Sequence, residues 1–339
     1  MVIGAGSIGK RHALNLLSIG KEVSIFDVDR EKVYQLATKE GFSIVEELTS
    51  QTMQQFGVVF VCTPSHLHLE STKLALEAGC SVFIEKPIAI RVTPELEEIG
   101  RLAKDKGNSV LVGCNLRFHD AIKELKRMIG SGELGKVYSA HVYFGQFLPS
   151  WRTVDYRQTY SAKADLGGGM LLEGIHEFDY LCWLFGEVEE VYASTSKSSD
   201  LEIDAEDLAE VILKFKNGII GHIHIDCLQK TKRRGYEVVG EKKTIIWESI
   251  GNSPEKAVIK ILGLPAELID RKELIIDPNS MYVEEIRYFL NSIDHHQGRE
   301  RDEKAKTMND ITQAVSVLRV VEAAKLSAKL KKAINLVKK

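Results

Sequence analysis

Short apolar runs alternate with amphipathic segments through the first 115 residues, and this alternation constrains the fold most. The runs are rich in β-branched residues, as strands buried on both faces of a parallel sheet are. They occupy residues 1–3, 22–27, 58–63, 81–86 and 109–114. Helical periodicity connects them at 8–19, 29–40, 67–79 and 94–106. This order predicts βαβ units in a doubly wound Rossmann sheet.

After about residue 115 the pattern becomes antiparallel. Asn217-Gly218 and Gly240-Glu241 each stand between two alternating runs, which is typical of hairpins. Helices are predicted at 119–130, 281–295 and 308–330, and further strands at 137–144, 188–195 and 273–277. We predict an α/β protein with a Rossmann domain over 1–115. Residues 116–339 are predicted to form a C-terminal α+β domain for substrate binding and oligomerisation, with a large, mostly antiparallel open sheet and terminal helices that pack back on the first domain.

Composition restricts the class of protein. A length of 339 residues favours two domains, and 44% hydrophobic with 27% charged residues is typical of globular proteins. A formal charge of −3 gives no reason to expect nucleic acid or a membrane as partner, and no apolar run reaches the roughly 18 residues of a membrane span. The five cysteines are widely spaced without a CxxC pair, and no signal peptide precedes the first strand. We therefore expect a cytoplasmic protein with reduced cysteines.

A glycine-rich loop follows the first apolar run and opens the first helix. Its GxGxxG pattern comprises Gly4, Gly6, Ser7, Ile8 and Gly9. Such loops need glycine for a tight turn, for close approach to a pyrophosphate and for helix packing, and the helix amides then face the phosphates. Only three residues precede the loop, so either the chain starts upstream or the sheet takes a short first strand. The loop predicts a dinucleotide site.

An acidic residue at the end of the second run bears on the choice of cofactor. Asp27 lies 18 residues after Gly9, where a carboxylate can bind the ribose hydroxyls. A carboxylate repels a 2′-phosphate, so NAD is favoured. Arg30 could still bind such a phosphate, which leaves NADP open.

Polar residues follow two of the predicted parallel strands. One strand leads into Thr63, Pro64 and His68, and another leads into Glu85, Lys86 and Pro87. Ligands bind beyond the carboxyl ends of such strands. A lysine there can stabilise a developing alkoxide. The alternative is that Lys86 only pairs with Glu85 at a solvated strand end.

A triple glycine precedes a helical segment that contains His176. On one continuous helix Glu173 would share a face with His176 and could orient its ring. The histidine could then act as general base toward a substrate hydroxyl. A buried structural histidine is the alternative.

Five segments together resemble the Gfo/Idh/MocA oxidoreductase family: GAGSIG, TPSHLHLE, AGCSVFIEKP, NLRFHDAIKELKRMIGSGELGKV and GGGMLLEGIHEFDYLCWLFG. The resemblance implies Lys86 as catalytic lysine and His176 as catalytic histidine. It also implies that His68 and Pro87 line the nicotinamide side, with a cis Lys86-Pro87 bond. Many members have aspartate four residues before the histidine, whereas here Leu172 takes that place and Glu173 follows it.

Several cations and aromatic residues are candidates for substrate binding: Arg117, Trp151, Arg152, Tyr156 and Arg157. Guanidinium groups suit carboxylate or phosphate, and aromatic faces suit a sugar ring. These residues favour an anionic sugar, such as a sugar phosphate, nucleotide sugar or uronate, although contact with another subunit or water is the alternative. His222 and His224 alternate on a strand as metal ligands do, but we expect no metal because a third ligand is not in view.

The features together predict an NAD(P)-dependent oxidoreductase that moves a hydride between a secondary alcohol or ketone of a sugar and the nicotinamide. Two alternatives are a non-catalytic NAD- and sugar-binding regulator and a Rossmann enzyme of another pathway. The open sheet face predicts a homodimer or homotetramer.

Overall fold

The computed structural model describes residues 1–251, 255–264, 267–294 and 309–336. The chain forms two compact units. The first consists of Met1–Asn115 with Met281–Leu318, and the second of Leu116–Ser280 with Arg319–Lys339. The C-terminal segment assigned from the sequence, 116–339, is thus divided between the two units.

In the described part of the first unit, six parallel strands form one sheet in the order β3-β2-β1-β4-β5-β6. The strands are β1 Val2–Ile3, β2 Ser24–Phe26, β3 Ser43–Ile44, β4 Val58–Val61, β5 Ser81–Ile84 and β6 Val110–Val112. The helices are α1 Ser7–Ser18, α2 Arg30–Glu40, α3 Ser50–Met53, α4 His68–Glu77 and α5 Pro94–Lys106, and α9 Ser280–Asp294 comes from later in the chain. The Rossmann prediction is confirmed. The two-residue β3 and the short α3 were not predicted, because elements of this length show no periodicity.

Helix ends and core packing in this unit follow local chemistry. Asp29 caps α2 by accepting a hydrogen bond from the N–H of Lys32, and α2 ends at Gly41 in the left-handed region. Aromatic rings fill the centre of the core: Phe60 stacks on Phe83, and the Phe289 ring of α9 meets both edge-on. Helix α9 therefore completes the core beside the parallel sheet.

The second unit contains a sheet of nine described strands in the order β14-β13-β12-β11-β7-β10-β9-β8-β15. Only β7 and β10 pair in parallel among these described strands. The strands are β7 Val137–Gly145, β8 Val188–Ser196, β9 Leu208–Phe215, β10 Ile220–Asp226, β11 Arg233–Gly240, β12 Thr244–Ile250, β13 Glu255–Gly263, β14 Glu267–Ile276 and β15 Ile334–Asn335. The helices are α6 Asp120–Gly130, α7 Met170–Glu173 and α8 Ile175–Phe185, and α10 Ile311–Leu330 begins in the first unit. The prediction of a large, mostly antiparallel sheet is confirmed.

Both predicted hairpins occur. Gly218 takes φ +87° in the turn between β9 and β10, where the side-chain oxygen of Asn217 accepts a hydrogen bond from the N–H of Ile219. The second turn joins β11 to β12 just after Gly240. Among the described residues, no helix is both long and apolar enough to cross a membrane.

Candidate active site

The glycine loop between β1 and α1 contains two positions where packing requires glycine and one where it does not. A Cβ on Gly4, which has φ +100°, would lie 2.5 Å from the carbonyl oxygen of Cys62. A Cβ on Gly9 would overlap the carbonyl oxygen of Gly4. Gly6 has φ −66°, and a Cβ there would meet no atom within 4 Å. Neither conformation nor packing demands glycine at Gly6, so its bare surface fits close approach of a pyrophosphate.

Helix α1 begins directly after this open position. Its first turn carries no acidic residue, and Gly6 supplies no side chain to cap the helix amides. The positive end of the helix dipole is therefore offered to an anion at the loop. The loop fits the phosphates of a dinucleotide.

Asp27 lies directly after β2 and is hydrogen-bonded to the glycine loop. Its carboxylate accepts the backbone N–H of Ala5 at 2.6 Å and that of Asp29 at 3.0 Å. Arg30 points elsewhere, because its guanidinium donates to the carboxylate of Glu46 at 3.0 Å. Because Glu46 already binds Arg30, this guanidinium is not directed toward a 2′-phosphate. The arrangement therefore fits a ribose with free hydroxyls.

The turns after β4 and β5 are joined by one buried histidine. The Nδ1 of His68 lies 2.9 Å from the carbonyl oxygen of Pro87, and its Nε2 lies 2.8 Å from that of Thr63. Burial lowers the pKa of His68, although the two carbonyl contacts oppose this effect. The Lys86-Pro87 peptide bond is cis, as the resemblance implied. His68 thus joins two strand ends from the interior, while Pro64 is exposed.

Glu85 is not a surface partner of Lys86. The carboxylate is buried, and its Oε1 accepts a hydrogen bond from Nε2 of His12 at 2.6 Å. Its Oε2 accepts the backbone N–H of Lys86 at 3.1 Å. Burial alone would raise the pKa of Glu85, but the hydrogen bond and charge of His12, together with Lys86, lower it. The half-buried Lys86 therefore follows a fixed carboxylate at the carboxyl end of β5.

In the second unit, the expected continuous helix through Glu173 and His176 is broken. Helix α7 ends at Glu173 and α8 begins at Ile175, with Gly174 between them. A Cβ on Gly174 would lie 2.9 Å from the side chain of Ile225. The single continuous helix predicted through Glu173 and His176 is therefore interrupted, because the chain turns at a glycine pressed against β10. His176 lies half-buried in the first turn of α8.

Glu173 instead connects to the segment at 151–163. Its Oε1 accepts a hydrogen bond from Oγ of Ser161 at 2.5 Å. Arg152 donates to that same hydroxyl at 3.3 Å and to the Tyr160 hydroxyl at 3.3 Å. The contacts form a chain from Arg152 through Ser161 to Glu173.

The other predicted substrate residues have different surroundings. Arg117 is buried and makes a two-pronged ion pair with Asp179, at 2.8 and 2.7 Å. Arg157 is exposed and donates to the carboxylates of Asp155 and Glu202. The Trp151 indole N–H donates to the carbonyl oxygen of Gln146 at 2.8 Å, and the Tyr156 hydroxyl accepts the backbone N–H of Glu202 at 3.1 Å. Arg152 thus donates to hydroxyl groups, whereas Arg117 and Arg157 donate to carboxylates.

The two histidines on β10 bind carboxylates. His222 lies 2.9 Å and His224 2.6 Å from the carboxylate of Glu210, and His224 also contacts Asp226 at 3.0 Å. Over the ranges that the structure describes, no group of histidine, cysteine and acidic residues has the geometry of a metal site.

Two family models match this chain. Residues 1–114 match an oxidoreductase family described as having an NAD-binding Rossmann fold, and residues 122–246 match the GFO/IDH/MocA C-terminal domain. The myo-inositol 2-dehydrogenase of Thermotoga maritima is 30% identical over 267 residues, which cover 74% of this chain and 75% of that protein. The chain belongs to the Gfo/Idh/MocA oxidoreductase family.

Two further proteins are similar to this chain at lower identity. The Bacillus subtilis protein named uncharacterized oxidoreductase YrbE is 29% identical over 66% of this chain, and the match spans 65% of YrbE. The solved WlbA dehydrogenase of Bordetella pertussis, in complex with NADH and UDP-GlcNAcA, superposes with a TM-score of 0.79 at 22% identity. That superposition covers 100% of this chain and 98% of WlbA, and it supports the fold.

Sequence reasoning about this family member missed three polar residues that the structure places in buried contacts: His12, Ser161 and Arg234. His12 lies on the buried side of α1, where a histidine among apolar positions was the available signal. Arg234 belongs to β11, and its Nε lies 2.9 Å from the fully buried Glu177. Local pattern could not reveal that partner, because the two residues belong to different elements.

Proposed function

We propose that this Gfo/Idh/MocA protein is an NAD-dependent dehydrogenase or reductase that interconverts a secondary alcohol and a ketone on a sugar or polyol. One observation carries the proposal: Lys86 leaves β5 beside a buried carboxylate, in the same unit whose glycine loop leaves Gly6 open. Ligands of parallel α/β sheets bind beyond the carboxyl ends of the strands, which is where both features lie. The likeness to an inositol dehydrogenase supports the substrate class.

The proposed roles follow the chemistry of the side chains. NAD, when bound, supplies the acceptor for the hydride that leaves the carbon bearing the hydroxyl. The Lys86 ammonium donates a hydrogen bond to the substrate oxygen and stabilises its negative charge. His176 takes the hydroxyl proton in oxidation and returns it in reduction. Glu173 has a positioning role through Ser161.

The proposed cofactor residues divide into two groups. The residues for the phosphates and the ribose are Gly4, Gly6, Ser7, Ile8, Gly9 and Asp27. The residues that shape the nicotinamide side are Thr63, Pro64, His68, Glu85, Lys86 and Pro87. Among them His68 and Glu85 are buried, so we propose that they do not contact the cofactor directly. Their hydrogen bonds instead fix the backbone of Pro87 and Lys86.

For the substrate we propose an anionic sugar whose charge is met by Arg152. Arg117 and Arg157 already have carboxylate partners, so each offers less to a new anion. Arg152 donates hydrogen bonds to the hydroxyls of Tyr160 and Ser161. Both hydroxyls are neutral, so these two contacts do not balance the positive charge of the guanidinium. A carboxylate or phosphate on the sugar would supply the missing charge.

A turnover assay tests the reaction and its residues. The protein is mixed with NAD and a panel of polyols, neutral sugars, uronates, sugar phosphates and nucleotide sugars, and the absorbance of reduced cofactor is followed. Lys86→Ala and His176→Ala should each abolish turnover while NAD affinity, measured by calorimetry, is retained. The exposed Lys106→Ala serves as the control. Normal turnover in both variants would refute the assignment, and NAD binding without turnover on any compound would favour a regulator.

A second assay tests the charge of the substrate. Arg152→Gln should raise KM for an anionic substrate about tenfold or more and leave KM for its neutral analogue unchanged. Arg157→Gln is the matched control, because the carboxylates of Asp155 and Glu202 already bind that guanidinium. Equal effects of the two substitutions would contradict the assignment of Arg152.

We also propose that the open face of the second sheet forms a homodimer or homotetramer interface. A row of residues crosses four adjacent strands there, with Tyr192 opposite Ile212, Ile212 opposite His222 and His222 opposite His141. Ile212 is 46% exposed and Tyr192 45%, which is unusual for large apolar side chains in a sheet. Light scattering should show an oligomer that Ile212→Lys converts to monomer. An unchanged mass would refute this interface.

A further inference from the structure

A buried histidine lies behind the catalytic lysine and takes no direct part in the proposed hydride transfer. The His12 side chain projects from α1 and is fully buried. The rings of Phe60, Phe83 and Tyr282 surround it, with centroids at 5.6, 5.0 and 5.9 Å. Its Nδ1 is buried without a hydrogen-bond partner among the described residues. The polar contact of this ring is therefore its Nε2 bond to Glu85.

Glu85 carries that contact to the backbone of the lysine. One carboxylate oxygen accepts from His12 at 2.6 Å and the other accepts the N–H of Lys86 at 3.1 Å. A carboxylate in such an apolar setting would take up a proton if it had no donor. The hydrogen bond and charge of His12 lower the pKa of Glu85 against the effect of burial. Glu85 thus remains an anion next to the lysine.

A second histidine contacts the same turn at another residue. His68, from α4, contacts the carbonyl oxygen of Pro87, so the Glu85–Pro87 turn is contacted by side chains from two helices, α1 and α4. An ammonium that must meet a substrate oxygen gains from such fixation, because misplacement of about 1 Å can reduce a rate by about 100-fold.

We propose that His12 is a positioning residue for the reaction: it holds Glu85 as a charged acceptor, and Glu85 in turn fixes the backbone of Lys86 and stabilises its ammonium form. The proposal rests on the proposed function of Lys86. It extends that function to a residue of α1, the helix that carries the phosphate loop.

The pH dependence of turnover follows from the charges around Glu85. The titratable and charged groups that face it are His12 from α1, Cys62 and His68 from the β4 side, Lys86, and Tyr282 from α9. Loss of the Glu85 charge removes an anion beside Lys86, so its ammonium should lose its proton at lower pH. The alkaline limb of the kcat profile reports that deprotonation.

Two variants of the full-length protein separate a donor role from a packing role. His12→Leu fills the space without a donor, and His12→Gln keeps an N–H donor at a similar reach. We expect kcat of His12→Leu to fall about tenfold or more, with its alkaline limb moved to lower pH. His12→Gln should restore most of kcat and the wild-type limb, and NAD affinity should be unchanged in both. Thr72→Val, a buried substitution in the same unit, is the control for core changes.

Glu85→Gln tests the charge in a second way, should His12→Leu fail to fold. It keeps an oxygen for the N–H of Lys86 and removes the charge, so its alkaline limb should shift as in His12→Leu. An unshifted alkaline limb in Glu85→Gln, and also in His12→Leu if that variant folds, would overturn this inference, whatever the melting temperatures of the variants. Full turnover by Lys86→Ala would instead refute the proposed function itself, so the two failures are distinguishable.

Discussion

The carboxylate of Asp27 accepts a hydrogen bond from the backbone N–H of Ala5 at 2.6 Å, so the acid after β2 is joined to the glycine loop after β1. The two residues are 22 positions apart in the sequence. A single side chain therefore both fixes the backbone of the glycine loop and places an anion beside it.

Asp27→Ser should shift cofactor preference toward NADP. Removal of the carboxylate relieves repulsion of a 2′-phosphate, and it also removes the hydrogen bond to Ala5 and the bonds that we propose Asp27 makes to the ribose. We expect the ratio of NAD to NADP affinity to fall about tenfold or more, as measured by calorimetry. Asp29→Ser is the matched control, because serine can still cap α2. An unchanged ratio in Asp27→Ser would show that the carboxylate does not face the ribose.

Two glycine substitutions should separate binding from folding. Gly6→Ala adds a methyl group to open space, so the melting temperature should change little while NAD affinity falls about tenfold or more. Gly9→Ala places a methyl group against the Gly4 carbonyl oxygen and should cost about 1–3 kcal/mol of stability. Calorimetry and urea denaturation measure the two effects. A loss of stability in Gly6→Ala together with unchanged stability in Gly9→Ala would contradict the loop geometry.

The ion pair of Arg117 and Asp179 should be necessary for the stability of the second unit. Both side chains are only 2% exposed, so Asp179→Asn leaves a buried cation without its counter-charge. We expect a loss of about 3–5 kcal/mol in the free energy of unfolding by urea denaturation. The double variant Arg117→Met/Asp179→Leu should lose less than Asp179→Asn, because no buried charge remains.

The control for that experiment is an exposed pair. Glu98→Gln breaks the ion pair of Lys73 with Glu98 on the surface and should change stability little. If Asp179→Asn were as mild as Glu98→Gln, the buried pair would not contribute as its geometry indicates.

His224 should make stability depend on pH in the alkaline range. Hydrogen bonds to Asp226 and Glu210, opposed by burial, raise the pKa of His224 from 6.5 to about 9. A pKa raised by folding contributes stability that is fully present below the unfolded value and is lost as the pH rises through the folded value. The free energy of unfolding should therefore fall between about pH 6.5 and 9.

His224→Gln provides the test of this dependence. The variant lacks the titrating ring, so its urea-denaturation curve should change less with pH over the same window. An identical pH slope in the two proteins would show that other groups cause the dependence.

Much of the fold follows from local sequence signals. The strands β4 and β5 were predicted because their apolar runs are continuous, and the turn at Asn217-Gly218 because it needs a residue with positive φ. The glycine loop and Asp27 form a motif with fixed spacing. The strand β13 was not predicted, and β3 is too short to show a pattern.

The surroundings of the site residues did not follow from such signals. A continuous helix was expected through Glu173, but Gly174 breaks it where the chain meets Ile225 of β10. The alternative of a solvated strand end, where Glu85 only pairs with Lys86, does not describe Glu85, which is buried against His12. Each outcome depends on an element distant in sequence.

The sequence by itself determined most of the longer elements, the loop chemistry and the family, because turns, helix ends and strand periodicity depend on residues within a few positions of one another. Only the tertiary structure decided which charges are paired. Glu85 and His12 are 73 positions apart, and Arg117 and Asp179 are 62 apart. Whether a charged side chain meets a partner or a substrate depends on long-range packing, since burial and counter-charges arise only when distant elements come together.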